Sequence, residues 1–310
     1  MALRTLVPWC CLIFLLLSVA AGCASARQDD GYVLLARYKE EWKRTAPGHL
    51  LQAPVFHPTP SAGSSGAAGG AAHGVVVFLD PGHGGVDTGT IGTTIDGQTV
   101  AEKTITLAIA QKTAAYLEQE GYVPVLSRTD DSLPGAAPSD YTSDGKALTP
   151  DGVLADLQRR IDRANASHAR VLLSIHLNGF SDPSVGGSET FYDSARSFGD
   201  ENRRFATLIQ ESLISAFRAN GYDTPDRGVT DDVDLQTESL GALDGTYRHL
   251  VILGPAVPGR LRPSEMPGAL SEPLFLSNPA EASAAVDPAV QDLIASAYAR
   301  AIDQFLSNRS

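Results

Sequence analysis

Apolar and polar positions follow two different periods from Val75 to the end of the chain. Short apolar runs predict strands at Val75–Leu79, Tyr122–Ser127, Val171–Ile175 and Gly187–Tyr192, with weaker strand patterns near Leu250–Leu253 and Gly268–Ser271. Apolar residues that recur with helical spacing predict helices at Glu102–Glu120, from Pro150, at Asn202–Ala219 and from Pro288. Strand and helix patterns therefore alternate throughout this region.

This alternation predicts an α/β fold. Strand–helix–strand units connect through right-handed crossovers, so successive strands lie parallel and helices cover the sheet. We therefore expect a mostly parallel sheet flanked by helices on both faces, in one domain over residues 75–310. Two polar insertions, Ser132–Leu148 and Val229–Tyr247, are predicted to be surface loops.

The first 22 residues predict an export signal. Arg4 precedes an uncharged apolar core, which is followed by small residues. Two cleavage sites fit this leader. The sequence AAGC at 20–23 resembles a bacterial lipobox, which would make Cys23 a lipidated N-terminus, whereas Ala24–Ala26 suits an ordinary signal peptidase. We favour the first, and therefore predict a membrane-anchored lipoprotein of the cell envelope; the alternative is a periplasmic or secreted protein.

Composition distinguishes a tether from the globular domain and limits the metal ligands that the domain can offer. Residues 23–74 form an N-terminal segment that ends in a stretch rich in Pro, Ser, Gly and Ala, which predicts a flexible tether. The formal net charge of −12 argues against nucleic acid and against adhesion to anionic lipid. The three cysteines are Cys10, Cys11 and Cys23, so any metal in the domain must use histidine and carboxylate ligands.

Four acidic or imidazole side chains are expected at one edge of the sheet. His83 lies among glycines after the first strand, His176 ends the third strand, and Glu102 opens the first helix. The carboxyl ends of parallel strands meet at one edge, so these side chains are expected to converge. Two imidazoles and one carboxylate leave a zinc ion one open position, which is typical of catalytic zinc. Glu272 follows another strand pattern and is a candidate to move a proton.

Each of these residues also has an ordinary structural explanation. Glu102 stands three residues after Thr99, which is the spacing of a capping box. His176 fits a hydrogen-bonded core residue, His83 an incidental histidine after a strand, and Glu272 the cap of a turn. We assign the other histidines to the tether or the surface: His49, His57, His73, His168 and His249.

Taken in order, these segments resemble the zinc-dependent N-acetylmuramoyl-L-alanine amidases (amidase family 3). The matching stretches are DPGHGG at 80–85, Glu102 at a helix start, SIHLN at 174–178, and Glu272 ahead of FLSN at 275–278. The sequence VLSR at 125–128 and the helix around Arg160 add to the likeness. The resemblance covers about Val75 to Phe305, nearly all of the globular part.

The resemblance implies an enzyme that hydrolyses the amide bond between N-acetylmuramic acid and L-alanine in peptidoglycan. It implies that His83, Glu102 and His176 bind Zn²⁺ and that Glu272 is the catalytic glutamate. Some members of the family are held inactive by an inserted helix that covers the site, and the leucines of Val229–Tyr247 fit such a helix. The chain departs from the family at Pro273 and Leu274, where an apolar residue and a glycine are usual. Two alternatives therefore stay open: a catalytically impaired peptidoglycan-binding module, and a zinc peptidase that acts on another envelope amide.

Overall fold

The structure is a computed structural model that describes residues 74–235 and 247–307. The strands and α-helices in these ranges are, in chain order, β1 (Val76–Pro81), β2 (Ile91–Thr93), β3 (Thr99–Ala101), α1 (Glu102–Gln119), β4 (Val123–Leu126), α2 (Pro150–Ala166), β5 (Leu172–Ile175), β6 (Ser188–Tyr192), α3 (Gly199–Ala219), β7 (Asp226–Asp231), β8 (Gly268–Glu272), α4 (Pro279–Val286) and α5 (Pro288–Ser307). Among these residues, no helix combines the length and the apolar character needed to span a bilayer.

Six strands form a single sheet in the order β4-β1-β5-β8-β6-β7. The strands β4, β1, β5 and β8 run parallel, whereas β6 is antiparallel to β8 and parallel to β7. The carboxyl ends of β1, β5 and β8 therefore lie at one edge of the sheet, and those of β6 and β7 lie at the other. The mostly parallel α/β fold predicted from the sequence is confirmed. A separate hairpin, β2–β3, precedes α1.

Alternate residues of the central strands bury their side chains in two core layers. On one face, Leu79 of β1 and Leu173 of β5 pack with apolar residues of α1, α3 and α5. On the other face, Phe78 and Leu172 pack with residues of α2 and with the segment around Leu250–Leu253. This alternation follows from the pleat of a strand, which points successive side chains to opposite faces. Both faces of the sheet are thus covered, as predicted.

Three sequence predictions about local structure differ from the structure. The segment Leu250–Leu253 forms turns rather than a strand, and its apolar side chains fill the second core layer. Strand β7 was not predicted, because it is a polar edge strand that overlaps the start of the insertion Val229–Tyr247. His249, which we assigned to the surface or the tether, has a side chain only 17% exposed and lies beside Asp193.

Several predictions fall on residues outside the described ranges. These are the export signal at 1–22, the lipidation of Cys23, and nearly all of the tether. The part of the second insertion at 236–246 lies outside them as well, so the helix proposed to cover the site stays a prediction. The other insertion, Ser132–Leu148, contains one turn of 3-10 helix at Pro138–Asp140.

Candidate metal centre and active site

Three of the predicted site residues meet at the carboxyl edge of β1 and β5. Glu102 Oε1 lies 3.1 Å from His83 Nε2 and 3.0 Å from His176 Nδ1, and the two ring nitrogens are 3.2 Å apart. Donor atoms around a tetrahedral zinc ion, with bonds of about 2.0–2.1 Å, are separated by about 3.3 Å. The three atoms therefore have the mutual spacing of zinc ligands.

Glycines let the chain bring these side chains together. His83 itself has φ of 64°, in the left-handed region that side chains other than glycine rarely occupy. A Cβ atom at Gly82 would lie 2.3 Å from Cε1 of His176, and one at Gly89 would lie 2.5 Å from Oε2 of Glu102. Only glycine at these two positions leaves room for the imidazole and the carboxylate.

Glu102 is held by backbone donors from two other segments. Its Oε1 accepts a hydrogen bond from Leu177 N at 2.9 Å, and its Oε2 accepts one from Thr90 N at 2.8 Å. Helix α1 has no side-chain cap, so the capping-box explanation of Glu102 is wrong. Burial acts to raise the pKa of Glu102, but the two imidazoles outweigh burial and hold that pKa below its usual range.

A second carboxylate orients His83. His83 Nδ1 lies 2.9 Å from Asp87 Oδ2, and Asp87 Oδ1 accepts a hydrogen bond from Gly89 N at 3.1 Å. A proton on Nδ1 that is donated to Asp87 leaves the lone pair of Nε2 directed at Glu102 and His176. Burial opposes a charge on His83, yet Glu102 and Asp87 raise its pKa to about 10. The sequence analysis missed Asp87, although it stands four residues after His83 in the same glycine-rich loop.

A buried ion pair fixes the end of β1. Arg160 Nη1 lies 2.8 Å from Asp80 Oδ1, and Arg160 Nη2 donates a hydrogen bond to the backbone oxygen of His83 at 2.7 Å. The hydroxyls of Ser127 and Ser174 donate to the two oxygens of Asp80 at 2.6 and 2.7 Å. Each guanidinium nitrogen of Arg160 and each carboxylate oxygen of Asp80 has at least one hydrogen-bond partner, which favours a buried ion pair. The pair thus ties α2, β4 and β5 to the backbone that carries His83.

Comparison with known proteins gives the family. Residues 77–304 match the sequence profile of the N-acetylmuramoyl-L-alanine amidases, which covers well over half of the chain. The chain belongs to this amidase family. Its fold and its function as an N-acetylmuramoyl-L-alanine amidase acting on peptidoglycan, both expected from the sequence, are thereby confirmed.

Individual relatives of this amidase show the same likeness. It is 28% identical over 236 residues to the germination-specific N-acetylmuramoyl-L-alanine amidase of Bacillus subtilis, a match that spans 76% of this chain and 81% of the relative. The CwlD amidase of Clostridioides difficile, solved in complex with the GerS lipoprotein, aligns with a TM-score of 0.54 at 27% identity and covers 76% of this chain and 99% of its own. The catalytic domain of CwlV from Bacillus (Paenibacillus) polymyxa var. colistinus aligns with a TM-score of 0.52 at 26% identity, covering 75% and 98%.

In the amidase, Glu272 is the last residue of β8 and is 1% exposed. Its Oε2 is buried and has no hydrogen-bond partner among the described residues. Burial raises the pKa of Glu272 well above its usual value, and the charge of Glu102 raises it further. A raised pKa makes the ionised carboxylate a stronger base, which suits a group that accepts a proton and later returns it.

Across the sheet, Glu189 of β6 stands opposite Glu272. Its Oε1 accepts a hydrogen bond from Thr230 Oγ1 at 2.8 Å, and its Oε2 lies 3.4 Å from Arg227 Nε. The charge of Glu189 adds to the raised pKa of Glu272. The sequence analysis missed Glu189, since a glutamate in a short strand carries no signal until its partner strand is known.

The hydrophobic core accommodates Leu274, one of the two residues after Glu272 at which the chain differs from the family pattern. Leu274 is 2% exposed and packs in the core layer of α1, α3 and α5. Its backbone oxygen accepts a hydrogen bond from Asn178 N at 2.9 Å, and Leu276 N donates to Asn178 O at 2.8 Å. The segment therefore continues beside the chain that follows His176, and Glu272 keeps its pairing with Glu189 at the end of β8.

Proposed function

We propose that this amidase depends on zinc and that His83, Glu102 and His176 hold the ion. The observation that supports this most directly is the convergence of one carboxylate oxygen and two imidazole nitrogens at 3.0–3.2 Å from one another. Hydrogen bonds also orient two of the three ligands. Asp87 orients His83, and backbone N–H groups orient Glu102. Such outer contacts are typical of metal ligands, because they fix the tautomer and the direction of each donor.

Glu272 is proposed as the proton carrier of the reaction. Zinc, when bound, supplies Lewis acidity that polarises the amide carbonyl and lowers the pKa of water. Glu272 takes the proton of the attacking water while the new C–O bond forms at the lactyl carbonyl carbon. As the C–N bond breaks, the same carboxyl group donates this proton to the departing nitrogen of L-alanine. The products are the lactyl carboxylate on the sugar strand and a peptide with a free amino terminus.

Location in the cell envelope is part of the same proposal. The apolar leader at 1–22 and the cysteine at 23 support export followed by lipid attachment. The segment 23–74, which ends in the predicted tether, would separate the domain from a membrane anchor at Cys23. Peptidoglycan, the substrate of the family, is found in that compartment.

Digestion of purified sacculi tests this function. We expect the exported protein to release peptides whose new amino terminus is L-alanine, to lose this activity in a chelator, and to regain it with Zn²⁺. Release of peptides with another terminus would favour a peptidase acting on a different envelope amide. Tight binding without any release would favour a binding module, and full activity in the chelator would rule out the zinc proposal.

Removal of the Asp87 carboxylate, which contacts His83 Nδ1, should weaken metal binding. In Asp87→Ala, His83 loses the acceptor that fixes its tautomer, so we expect the zinc affinity of this site to fall by about 10–100-fold. Competition against a chromophoric chelator measures this affinity. Asp144→Ala, at an exposed loop position, is the matched control and should bind zinc as the unaltered protein does. Equal affinities in the two variants would contradict the role given to Asp87.

A further inference from the structure

A second group of two carboxylates and an imidazole lies at the other end of the sheet. Asp193 follows β6, Asp232 follows β7, and His249 lies on the chain that leads to β8. Because β6 runs antiparallel to β8 and pairs Glu189 with Glu272, the carboxyl end of β6 points away from the Glu272 end of β8. The Asp193–Asp232–His249 cluster is therefore separate from the amidase site.

Backbone donors orient both carboxylates toward the imidazole. Asp193 Oδ1 accepts a hydrogen bond from Ala195 N at 2.6 Å, and Asp232 Oδ2 accepts one from Leu250 N at 2.9 Å. The other two oxygens face His249 Nδ1, which lies 2.8 Å from Asp193 Oδ2 and 3.3 Å from Asp232 Oδ1. One nitrogen and two oxygens thus lie within 4.8 Å of one another, close enough for a single ion to contact all three.

The cluster places two acidic groups together away from water. Asp193 and Asp232 are both 0% exposed, and Asp193 Oδ2 accepts no hydrogen bond of normal geometry within the described residues. Burial raises the pKa of both carboxyls, and repulsion from Asp193 helps to raise that of Asp232 to about 9. His249, the Ala195 N–H group and Arg196 all act to lower the pKa of Asp193, but burial outweighs them. The guanidinium of Arg196 donates its hydrogen bonds to backbone oxygens of Leu253 and Gly254 rather than to Asp193. Two adjacent buried carboxyls of this kind require a shared proton or a cation.

We propose that the Asp193–Asp232–His249 cluster binds a divalent transition-metal ion. Two carboxylate oxygens and one imidazole nitrogen suit Zn²⁺, Mn²⁺ or Co²⁺, whereas Ca²⁺ and Mg²⁺ prefer sets made of oxygen alone. A dication balances the charge of the two carboxylates and lies within reach of Asp193 Oδ2, whose 2.8 Å contact with His249 Nδ1 lacks normal hydrogen-bond geometry. The imidazole nitrogen lies 2.8 and 3.3 Å from the two carboxylate oxygens, and all three donors lie within 4.8 Å of one another.

An ion in this cluster would join three separate parts of the chain. It would link the end of β6, the end of β7 and the turn that begins at Leu250, whose side chain packs in the second core layer. Metal that binds the folded chain alone stabilises it by mass action. The site is therefore a stabilising one, and its occupancy should raise the melting temperature by about 5–10 °C at saturating metal.

Metal counting on single-site variants tests the proposal. After treatment with a chelator and reloading with Zn²⁺, the full-length exported protein should hold about two equivalents, and Asp232→Asn and His176→Ala about one each. Asp234→Asn, an exposed neighbour of Asp232, is the control and should hold about two. An unchanged count in Asp232→Asn would overturn the proposal. An Asp232→Asn variant that melts at or above the temperature of the metal-loaded protein would also overturn it and would indicate a shared proton.

A second measurement leaves the cluster intact and does not depend on the folding of Asp232→Asn. In His176→Ala the amidase site is disabled, so Co²⁺ that still binds should occupy the Asp193–Asp232–His249 cluster and show visible d–d absorption. Binding of Co²⁺ with a rise in melting temperature supports the proposal. Absence of Co²⁺ binding in this variant overturns it, whatever the metal content of the amidase site.

Discussion

His176→Ala is expected to lose the metal of the amidase site and nearly all hydrolytic activity. Its Nδ1 is one of three donors spaced at 3.0–3.2 Å, and removing it leaves Glu102 and His83 as an incomplete pair. The loss of Lewis acidity removes several kcal/mol of transition-state stabilisation. A loss of about 4 kcal/mol corresponds to about 1000-fold in rate. The release of peptides from sacculi, measured together with metal content, checks this expectation.

A histidine outside both sites provides the matched control. His168 is exposed and follows α2 with φ of 54°, a conformation that asparagine tolerates. His168→Asn should therefore keep the metal content and activity of the unaltered protein. Full activity in His176→Ala would contradict the ligand assignment, and an equal loss in both variants would indicate a general effect on folding.

Glu272→Gln is expected to keep the metal of the amidase site and to lose activity by about 10²–10⁴-fold. Glutamine preserves the volume of the buried side chain, so the packing around β8 should be unchanged. It is unable to accept the proton of the attacking water or to return it to the departing amine. Steady-state rates on sacculi and metal analysis of the same preparations separate these two effects.

The outcome of this substitution distinguishes three roles for Glu272. Loss of activity with metal retained supports the proton-transfer role, and loss of both would instead make Glu272 a ligand. Activity within a few fold of the unaltered protein would exclude both roles. Glu265→Gln, at an exposed position ahead of β8, is the control and should remain fully active.

Regular elements with a strong apolar period could be predicted from the sequence. β1 has five buried residues and α2 begins at Pro150 with Thr149 as its N-cap, accepting a hydrogen bond from Gly152 N at 3.0 Å. Such elements are determined by local burial and by local capping, both of which are visible in the order of residues. The polar edge strand β7 and the turns at Leu250–Leu253 were not predictable in this way, because their conformation depends on neighbours distant in sequence.

The candidate site likewise contains residues that could be predicted from the sequence and residues that could not. The glycine-flanked His83, the helix-start Glu102 and the strand-end His176 could be proposed together, since their positions at element ends and their resemblance to a family both point to one edge of the sheet. The partners that orient them could not be proposed in the same way. Asp87 carried no distinguishing pattern, and Glu189 acquires its importance only through the antiparallel pairing of β6 with β8.

The sequence by itself therefore determined the α/β class, the family and the four residues proposed for the chemistry. Tertiary structure alone decided which atoms face one another, such as Nε2 of His83 toward Glu102, and which carboxyls are buried beside one another. It also brought His249 beside Asp193 and Asp232, where the sequence had suggested only a surface histidine. The physical reason is that periodicity and capping are local, whereas desolvation and charge repulsion depend on distances between residues far apart in the chain.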